Sequence, residues 1–383
     1  SMKFYIPHIL WVSLLLWVVS CYAQSPEKKH QSLSDKNATP ETENLYQNLI
    51  LLQEKGFLFG HQDDLAYGVK WRYEEGRSDI KEVTGDYPAL YGWDLGGIEH
   101  QKSNNIDGVP FKKMKNWIKE IYDRGGVSTI SWHMDNPLTM KNSWDTTPGS
   151  LRSILPNGEK HQLYLSWLDE AAQFLGNLKS SNGKKIPILY RPFHELTGNW
   201  FWWCKNNATP EEFKEIWRFT IHYLRETKKL NSLIIVYNTA DFKSKEEFLE
   251  YYPGDDVVDV LSFDKYQYTN PVTDSSFITE VQNQLKIMNE VAVEHQKPMA
   301  IAETGYEQIP YENWWTKTLT EAIGNYKISF VLLWRNHGWQ EQEKKMHYYA
   351  PYKGQLSEKD FIEFYNNPKT FFQKDITQEN IYK

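Results

Sequence analysis

Eight short runs of apolar and β-branched residues recur along the chain, each bounded by turn residues and separated from the next by a helical pattern. Most of these runs are apolar almost throughout, which is typical of parallel strands covered on both faces. Eight strands alternating with helices predict a (β/α)8 TIM barrel. The predicted strands are 57–62, 88–95, 127–134, 186–195, 233–240, 257–266, 299–306 and 328–336.

The segments between these runs carry helix signals. Thr209-Pro-Glu-Glu212 is a capping box with proline at the first helical position, and Ser244-Lys-Glu-Glu247 begins another helix. Further predicted helices are 41–55, 78–84, 112–124, 162–180, 277–295 and 313–325. An open doubly wound sheet is the alternative, but no Gly-x-Gly-x-x-Gly turn follows any of the strands.

The composition favours a carbohydrate ligand. The chain has 383 residues, of which 16 are Trp and 15% are aromatic. An indole is large and its N–H needs a partner, so we expect some of these rings to face a ligand instead of the core. The 43 basic and 50 acidic residues give a net charge of −7 without a basic cluster, which argues against a nucleic-acid partner.

The N-terminus resembles an export signal. Residues 9–19 are an apolar run that is too short to span a membrane, and Val18-Val19-Ser20-Cys21 resembles a bacterial lipobox. We therefore predict a signal peptide over 1–21 with a lipid anchor on Cys21, a flexible tether over 22–40 and a single catalytic domain over 41–383. This predicts an exported lipoprotein, periplasmic or associated with the outer membrane; the alternative is a secretory peptide cut near Ala23. The mature domain keeps Cys204 without a partner, so no disulfide is expected within it.

The predicted barrel places its active site at the carboxyl ends of the strands, where the βα loops converge. Glu195 ends the fourth predicted strand and Glu303 lies on the seventh, so the two would face each other across the mouth. Two carboxylates there could flank a glycosidic bond, one as the proton donor and one as the nucleophile. Apolar surface from Phe193 and the aromatic run 200–203 should raise the pKa of Glu195 and suit it to the acid role.

Other polar residues end neighbouring strands. Arg191 is expected to orient a carboxylate, and Asp94 and His61 are expected to support the site. His133 and His194 could be metal ligands, but neither a His-Glu-x-x-His nor a Cys-x-x-Cys spacing is present, so we predict no metal.

Several motifs together resemble glycoside hydrolase family 26, which consists largely of retaining β-mannanases with a (β/α)8 barrel. They are Phe59-Gly-His61, Trp132-His133, Arg191-Pro-Phe-His-Glu195 followed by Gly198-x-Trp-Phe-Trp-Trp203, Tyr252-Pro-Gly-Asp255, Asp264-x-Tyr266, Lys297-Pro-Met-Ala-Ile-Ala-Glu303 and Trp334. The resemblance covers residues 44–356 and implies Glu195 as acid/base and Glu303 as nucleophile. It also implies that His194 and Tyr266 contact the sugar being cleaved, that His133 and Trp334 help to form the same subsite, and that Trp200 stacks on the leaving side.

The sequence therefore predicts a monomeric, retaining endo-β-1,4-mannanase that needs no cofactor. Its substrate would be mannan or galactomannan, and a long loop at 136–160 would favour short products such as mannobiose. Two alternatives stay open. One is a hydrolase of the same scaffold acting on β-1,3-xylan or mixed-linkage glucan, and the other is a non-catalytic glycan-binding protein of the cell surface.

Overall fold

A computed structural model describes residues 32–383, in which eight parallel strands close into a barrel. Each strand pairs with the next along the chain, and the last pairs with the first through Leu58 opposite Phe330 and Gly60 opposite Leu332. The (β/α)8 prediction is confirmed, and closure excludes the open doubly wound sheet. The barrel strands are β1 Phe57–Gln62, β2 Leu90–Asp94, β3 Val127–Ser131, β4 Ile188–Arg191, β5 Leu233–Thr239, β6 Val260–Gln267, β7 Met299–Tyr306 and β8 Phe330–Leu333.

Three strands stop well short of the carboxyl ends that the sequence predicts. β4 ends at Arg191, because Pro192 cannot donate to the ladder and Phe193 and Glu195 have φ angles of +48° and +57°. The placement of Glu195 at the end of a strand was therefore wrong. It lies in the loop that follows β4, as His133 and Trp334 lie in the loops that follow β3 and β8.

Helices surround the barrel. They are α1 Pro40–Gln53, α2 Asp79–Thr84, α3 Phe111–Asp123, α4 Ser150–Ile154, α5 His161–Gly176, α6 Pro210–His222, α7 Lys245–Leu249, α8 Ser276–His295, α9 Thr320–Ile323, α10 Glu358–Asn366 and α11 Gln373–Thr377. The capping box at Thr209 is present at the start of α6, with Glu212 as its partner. The helix predicted over 313–325 is instead a π-helical stretch, Trp314–Leu319, that leads into α9.

Shorter elements complete the chain. Two-stranded hairpins pair Tyr67–Gly68 with Trp71–Arg72 and Gly338–Gln340 with Lys345–His347, and Thr370–Phe371 adds to the edge of β1. Single 3-10 turns lie at Ile98–His100 and Asp255–Val257, and a π-helical turn at Tyr223–Thr227 extends α6.

The amino end of the barrel is closed by α1. One face of this helix packs with the aliphatic side chains of the barrel strands in a single cluster, and the Tyr46 hydroxyl donates to the carbonyl of Asp259, just before β6. The face is formed by Leu45, Tyr46, Leu49 and Leu52. The helix therefore fills the end opposite the predicted active site.

The segment just before α1 also packs on the barrel, which corrects the prediction of a tether reaching to residue 40. Leu33 is buried, and the Ser34 amide donates to Asp259 Oδ1 at 2.7 Å. Residues 32–383 form one compact unit. The predicted signal peptide, Cys21 and the tether up to residue 31 lie outside the described residues. Within 32–383, no helix combines the length and apolar character that crossing a membrane requires.

We predict that Leu49→Ala lowers the free energy of unfolding by about 2–5 kcal/mol, because it opens a cavity where α1 meets the barrel. Leu49 is 1% exposed, whereas Leu51 on the same helix is 65% exposed, so Leu51→Ala is the matched control. Chemical denaturation of the two variants and the wild type measures the difference. Equal stabilities for the two variants would contradict the role assigned to α1.

Candidate active site

A cleft of about 570 Å³ opens at the carboxyl ends of the strands. Six of the residues singled out from the sequence line it together: His133, Glu195, Trp200, Tyr266, Glu303 and Trp334. They come from the ends of five different strands or the loops that follow them. The barrel closure thus brings side chains up to 201 positions apart, from 133 to 334, to one surface.

A buried guanidinium organises the floor of this cleft. Arg191, at the end of β4, is 2% exposed and donates from Nη2 to Glu303 Oε2 at 2.7 Å. Its Nη1 donates to Asp264 Oδ2 at 3.0 Å and to Asn238 Oδ1 at 3.1 Å. The second oxygen of Glu303 accepts a hydrogen bond of 2.5 Å from the Tyr266 hydroxyl. Glu303 is therefore fixed by a donor on each oxygen.

Asp264 is a third carboxylate in the site, which the sequence reasoning did not assign. It lies opposite Glu303 on the neighbouring strand, because the β6–β7 register shifts between Phe263 and Asp264. One carboxylate oxygen from each of Glu195, Asp264 and Glu303 lies within 4.8 Å of the others. The signal for Asp264 was its position two residues before Tyr266 on one strand, which places both on the same face.

The loop that carries Glu195 is held by side chains of neighbouring elements. The Glu195 amide donates to Asn238 Oδ1 at 2.9 Å, and the Cys204 thiol donates to the Glu195 carbonyl at 3.3 Å. The indole N–H of Trp200 donates to Glu195 Oε1 at 2.8 Å. These contacts stabilise the left-handed backbone of Glu195, which costs energy for a residue other than glycine.

Asn238 connects the loop that carries Glu195 with Arg191 and Asp264 on the barrel strands. Its amide oxygen accepts from both Arg191 and Glu195, while its amide nitrogen donates to Asp264 Oδ1 at 2.7 Å and to Ser262 Oγ at 2.9 Å. The side chain is fully buried and all of its hydrogen-bonding capacity is used. It was assigned no role from the sequence.

Burial and mutual repulsion keep a proton in the carboxylate cluster at neutral pH. Burial, and then the charge of Glu303, raise the pKa of Glu195. Burial and Asp264 raise the pKa of Glu303 to about 8, against the opposing effect of Arg191 and the Tyr266 hydrogen bond. Burial also raises the pKa of Asp264 to about 8, although Arg191 opposes it. Three carboxyl groups facing one guanidinium therefore do not all ionise together.

His133 is paired with a fully buried carboxylate. Its Nδ1 lies 2.7 Å from Asp94 Oδ2, and its amide donates to Asp94 Oδ1 at 3.1 Å. Burial alone would lower the pKa of His133, but Asp94 raises it to about 9. The ring is therefore charged at neutral pH and lines the cleft beside Trp144, which stacks on it with ring centroids 5.4 Å apart.

Four of the predicted residues do not line the cleft: Arg191 and Asp94, whose contacts are given above, and His194 and His61. His194 is 1% exposed and packs beneath His133 and against Phe201, with ring centroids 4.6 and 4.8 Å away. Burial, then His133 and Arg191, lower the pKa of His194 well below its usual value, so the ring is neutral. His61 is also buried, and its Nδ1 lies 2.7 Å from Asp64 Oδ1 at the end of β1.

The cleft walls are aromatic. Of the run 200–203, only Trp200 is exposed, at 40%, while Phe201, Trp202 and Trp203 are buried. Four further rings line the cleft that the sequence did not assign: Trp144, Tyr268, Phe277 and Tyr349. Trp144 comes from the long loop after β3, whose course depends on tertiary contacts such as the Trp202 amide donating to the Ser143 carbonyl.

Two acidic groups within the described residues are close enough to surround a cation: Glu195 with Asp264 and Glu303, and Glu99 with His100 and Asp135. In the first group the Arg191 guanidinium already contacts two of the carboxylates. In the second, Glu99 accepts hydrogen bonds from the amides of Gly97 and Asp135. Both groups are therefore satisfied by donors of the protein itself.

The geometry suits a displacement in two steps at an acetal carbon. Retaining reactions use carboxyl groups about 5–5.5 Å apart, whereas inverting reactions need about 6.5–9.5 Å to admit a water. The nearest oxygens of Glu195 and Glu303 are at most 4.8 Å apart, which is shorter than the separation that an inverting reaction needs.

Several known proteins are similar to this chain in fold and sequence. The profile of glycosyl hydrolase family 26 matches residues 34–336. A family 26 β-mannanase structure from Bacteroides ovatus is 44% identical, with a TM-score of 0.85, over 90% of this chain and 98% of that one. A structure named GH26C from Muricauda sp. MAR_2010_75 is 31% identical, with a TM-score of 0.83, over 94% of this chain and 98% of that one.

A mannan endo-1,4-β-mannosidase of Bifidobacterium adolescentis is 30% identical over 358 residues, which is 88% of this chain and 35% of that protein. A mannan endo-1,4-β-mannosidase of Bacillus subtilis is 28% identical over 64% of each chain. The chain thus spans about a third of the first relative and just under two thirds of the second.

We predict that Asp94→Asn lowers the free energy of unfolding by about 2–3 kcal/mol, and that the loss is largest between about pH 4 and 6.5. The size follows from the difference between the folded and unfolded pKa values of His133, since each pKa unit is worth about 1.4 kcal/mol. Because the pKa of His133 is raised in the folded state, the His133–Asp94 pair stabilises the fold fully below the unfolded His pKa of 6.5. This stabilisation is lost as the pH rises through about 9. Denaturation at pH 5.5, 7.5 and 9.5 measures the difference from the wild type.

The control is Asp135→Asn, since Asp135 pairs with His100 at a site where both side chains are about a quarter exposed. Exposed pairs contribute little, so this variant should change stability by less than about 1 kcal/mol at every pH. A cost for Asp94→Asn that does not shrink towards pH 9.5 would contradict the charged pair.

Proposed function

The chain belongs to glycosyl hydrolase family 26, and we propose that it is a retaining endo-β-1,4-mannanase that cleaves internal bonds of mannan or galactomannan. One observation carries the proposal: the carboxylates of Glu195 and Glu303 lie within 4.8 Å of each other on a single aromatic-walled cleft. The names of the relatives in Bacteroides ovatus, Bifidobacterium adolescentis and Bacillus subtilis support mannan as the substrate.

In the first step, Glu303 Oε attacks the anomeric carbon while Glu195 gives its proton to the leaving glycosidic oxygen. The carbon–oxygen bond to the leaving sugar breaks, and an ester bond between Glu303 and the sugar forms. Burial and the nearby charge of Glu303 raise the pKa of Glu195, which suits it to donating this proton. Arg191 and Tyr266 donate to Glu303 and so stabilise the ionised form that attacks.

In the second step, the ionised Glu195 takes a proton from water, and the resulting hydroxide oxygen attacks the anomeric carbon. The ester bond breaks and Glu303 leaves as a carboxylate, so the two inversions give net retention. Neutralising Glu303 in the intermediate removes the charge that raised the pKa of Glu195, which favours its switch from acid to base.

The rings and donors around the two glutamates would bind the sugars. His133, charged and fixed by Asp94, would donate to a hydroxyl of the sugar being cleaved, and Tyr266 and Trp334 border the same space. Trp200, which contacts the acid/base directly, would stack on the leaving sugar. His194 is 1% exposed beneath His133, and neither of its ring nitrogens has a protein partner among the described residues. Its contact with the cleaved sugar, which the family resemblance implies, stays a prediction.

The loop after β3 supports the release of short products. Trp144 brings this loop over His133, which narrows the cleft on one side. We also propose that the protein is exported with a lipid anchor on Cys21, on the strength of the apolar run at 9–19 and the lipobox-like Val18-Val19-Ser20-Cys21. Periplasmic and outer-membrane positions fit this proposal equally.

The proposed activity is tested by reducing-sugar release from mannan, galactomannan, β-1,3-xylan and mixed-linkage glucan, with ¹H NMR of the first anomer formed. We expect release from the mannans and an initial β-anomer. Faster hydrolysis of either of the other glycans would favour that alternative, and an initial α-anomer would contradict retention. Binding to mannan without any release would favour the non-catalytic glycan-binding protein.

The roles of the two glutamates are tested by separate alanine variants. We expect Glu303→Ala to lose at least 10³-fold in kcat on every glycoside, because the nucleophile is absent. Glu195→Ala should lose a similar factor on mannooligosaccharides but far less in the first step on an aryl mannobioside, whose leaving group needs no proton. Equal losses for Glu195→Ala on both substrates would contradict its role as acid.

A further inference from the structure

The cleft does not end at the catalytic carboxylates. It continues past Trp200 towards the ends of β5 and β6 and the start of α8, where Asp241, Lys265 and Glu280 line it. This is the side on which Glu195 meets the leaving oxygen, since Trp200 is hydrogen bonded to Glu195. The Tyr268 ring also borders the cleft there and is largely exposed.

Asp241, Lys265 and Glu280 form a connected charged group, which we call the rim triad. The Lys265 ammonium lies 2.9 and 3.1 Å from the two oxygens of Asp241 and 2.8 Å from Glu280 Oε2. The lysine side chain is only 10% exposed, whereas Asp241 is 67% and Glu280 55% exposed. The ammonium thus lies beneath two carboxylates that face the open cleft.

The rim triad is joined to the catalytic centre through the backbone of β6. Lys265 directly follows Asp264, which contacts Arg191 and lies opposite Glu303 on β7. A strand advances about 3.3 Å per residue, so the base of Lys265 lies at a fixed and short distance from the reacting atoms. A group held in this way can select where the next sugar lies.

The chemistry of the triad matches a neutral polyol. The three donors of Lys265 are used on carboxylate oxygens, and the remaining lone pairs of Asp241 and Glu280 accept hydrogen bonds. Hydrogen bonds to a charged acceptor are stronger than neutral ones, and vicinal hydroxyls of a pyranose can reach two neighbouring carboxylates. The aromatic faces of Trp200 and Tyr268 beside the triad complete a sugar-binding surface of apolar ring and polar acceptors.

We propose that the rim triad binds the second sugar of the leaving chain, beyond the one that stacks on Trp200. The inference rests on the proposed function, and it assigns the class of ligand at this place as a neutral hexopyranose. In this proposal, Asp241 and Glu280 determine the preferred length of the leaving chain and take no part in bond cleavage.

The experiment compares two substrates in Asp241→Ala/Glu280→Ala. Mannopentaose can place two or more sugars on the leaving side, whereas 4-nitrophenyl β-mannobioside has a leaving group of one ring. We expect kcat/KM for mannopentaose to fall at least tenfold and the main cleavage position to move, with the aryl substrate within twofold of the wild type. Asp241→Asn/Glu280→Gln, which keeps the side-chain size, should show an intermediate loss.

The control is Glu294→Ala on α8, the helix that carries Glu280; it breaks the 2.8 Å pair between Glu294 and Lys245 of α7. It should leave both substrates unchanged. Equal losses on both substrates in the double variant, or no loss on either, would overturn the role of the triad while leaving the proposed function intact. A wild type that hydrolyses no mannan substrate would overturn the proposed function itself and this inference with it.

Discussion

The site depends on one buried cation. Arg191 is held at the end of β4 with its guanidinium 2% exposed, and it contacts carboxylates from β6 and β7. Taking a charge out of water is costly unless it is paired and hydrogen bonded, and here each of its contacts is with a carboxylate or an amide oxygen. The same pairing makes it possible to bury acidic groups near the barrel axis, where repulsion would otherwise raise their pKa values further.

Glu195 and Glu303 have different surroundings, and this difference supports the separate roles proposed for them. Glu303 receives its hydrogen bonds from Arg191 and Tyr266, both of which favour the ionised form. Glu195 receives one from the Trp200 indole, is held through its backbone by Asn238, and meets Glu303 as an adverse charge. Burial raises the pKa of both carboxyl groups, but each meets a different set of hydrogen-bond donors, which suits the proposed division between an acid and a nucleophile acting on one bond.

The sequence was sufficient to predict the barrel and to place Glu195 and Glu303 across its mouth, because both predictions follow from the spacing of apolar runs along the chain. Apolar runs locate buried strands, and the order of the strands places the fourth and seventh across the mouth. The exact ends of the strands were not predictable, since the turn at Glu195 depends on a left-handed backbone that Asn238 and Cys204 stabilise from other elements. Asp264 was given no role although its position two residues before Tyr266 places both side chains on one face; the register shift that brings it opposite Glu303 is not visible in the sequence.

The high tryptophan content supported a carbohydrate ligand only in part. Most of the large aromatic side chains are core residues, with the indole N–H of Trp202, Trp203 and Trp217 donating to backbone carbonyls. Few rings, among them Trp144 and Trp200, are exposed at the cleft. The inference from composition therefore agrees with the proposed glycan ligand, although most of the aromatic residues behind it serve packing.

The charge of the cleft narrows the class of ligand further. Five carboxyl groups line it, namely Glu195, Asp241, Asp264, Glu280 and Glu303, against the ammonium of Lys265 and the imidazolium of His133. The most exposed of these carboxyl groups are Asp241 and Glu280, whose side chains are 67% and 55% exposed. A polyuronate would be repelled on entry, whereas a neutral polyol meets acceptors for its hydroxyls at each step. The acidic groups of the proposed catalytic centre and those of the rim triad thus act in the same direction, which agrees with the neutral glycan proposed as the ligand.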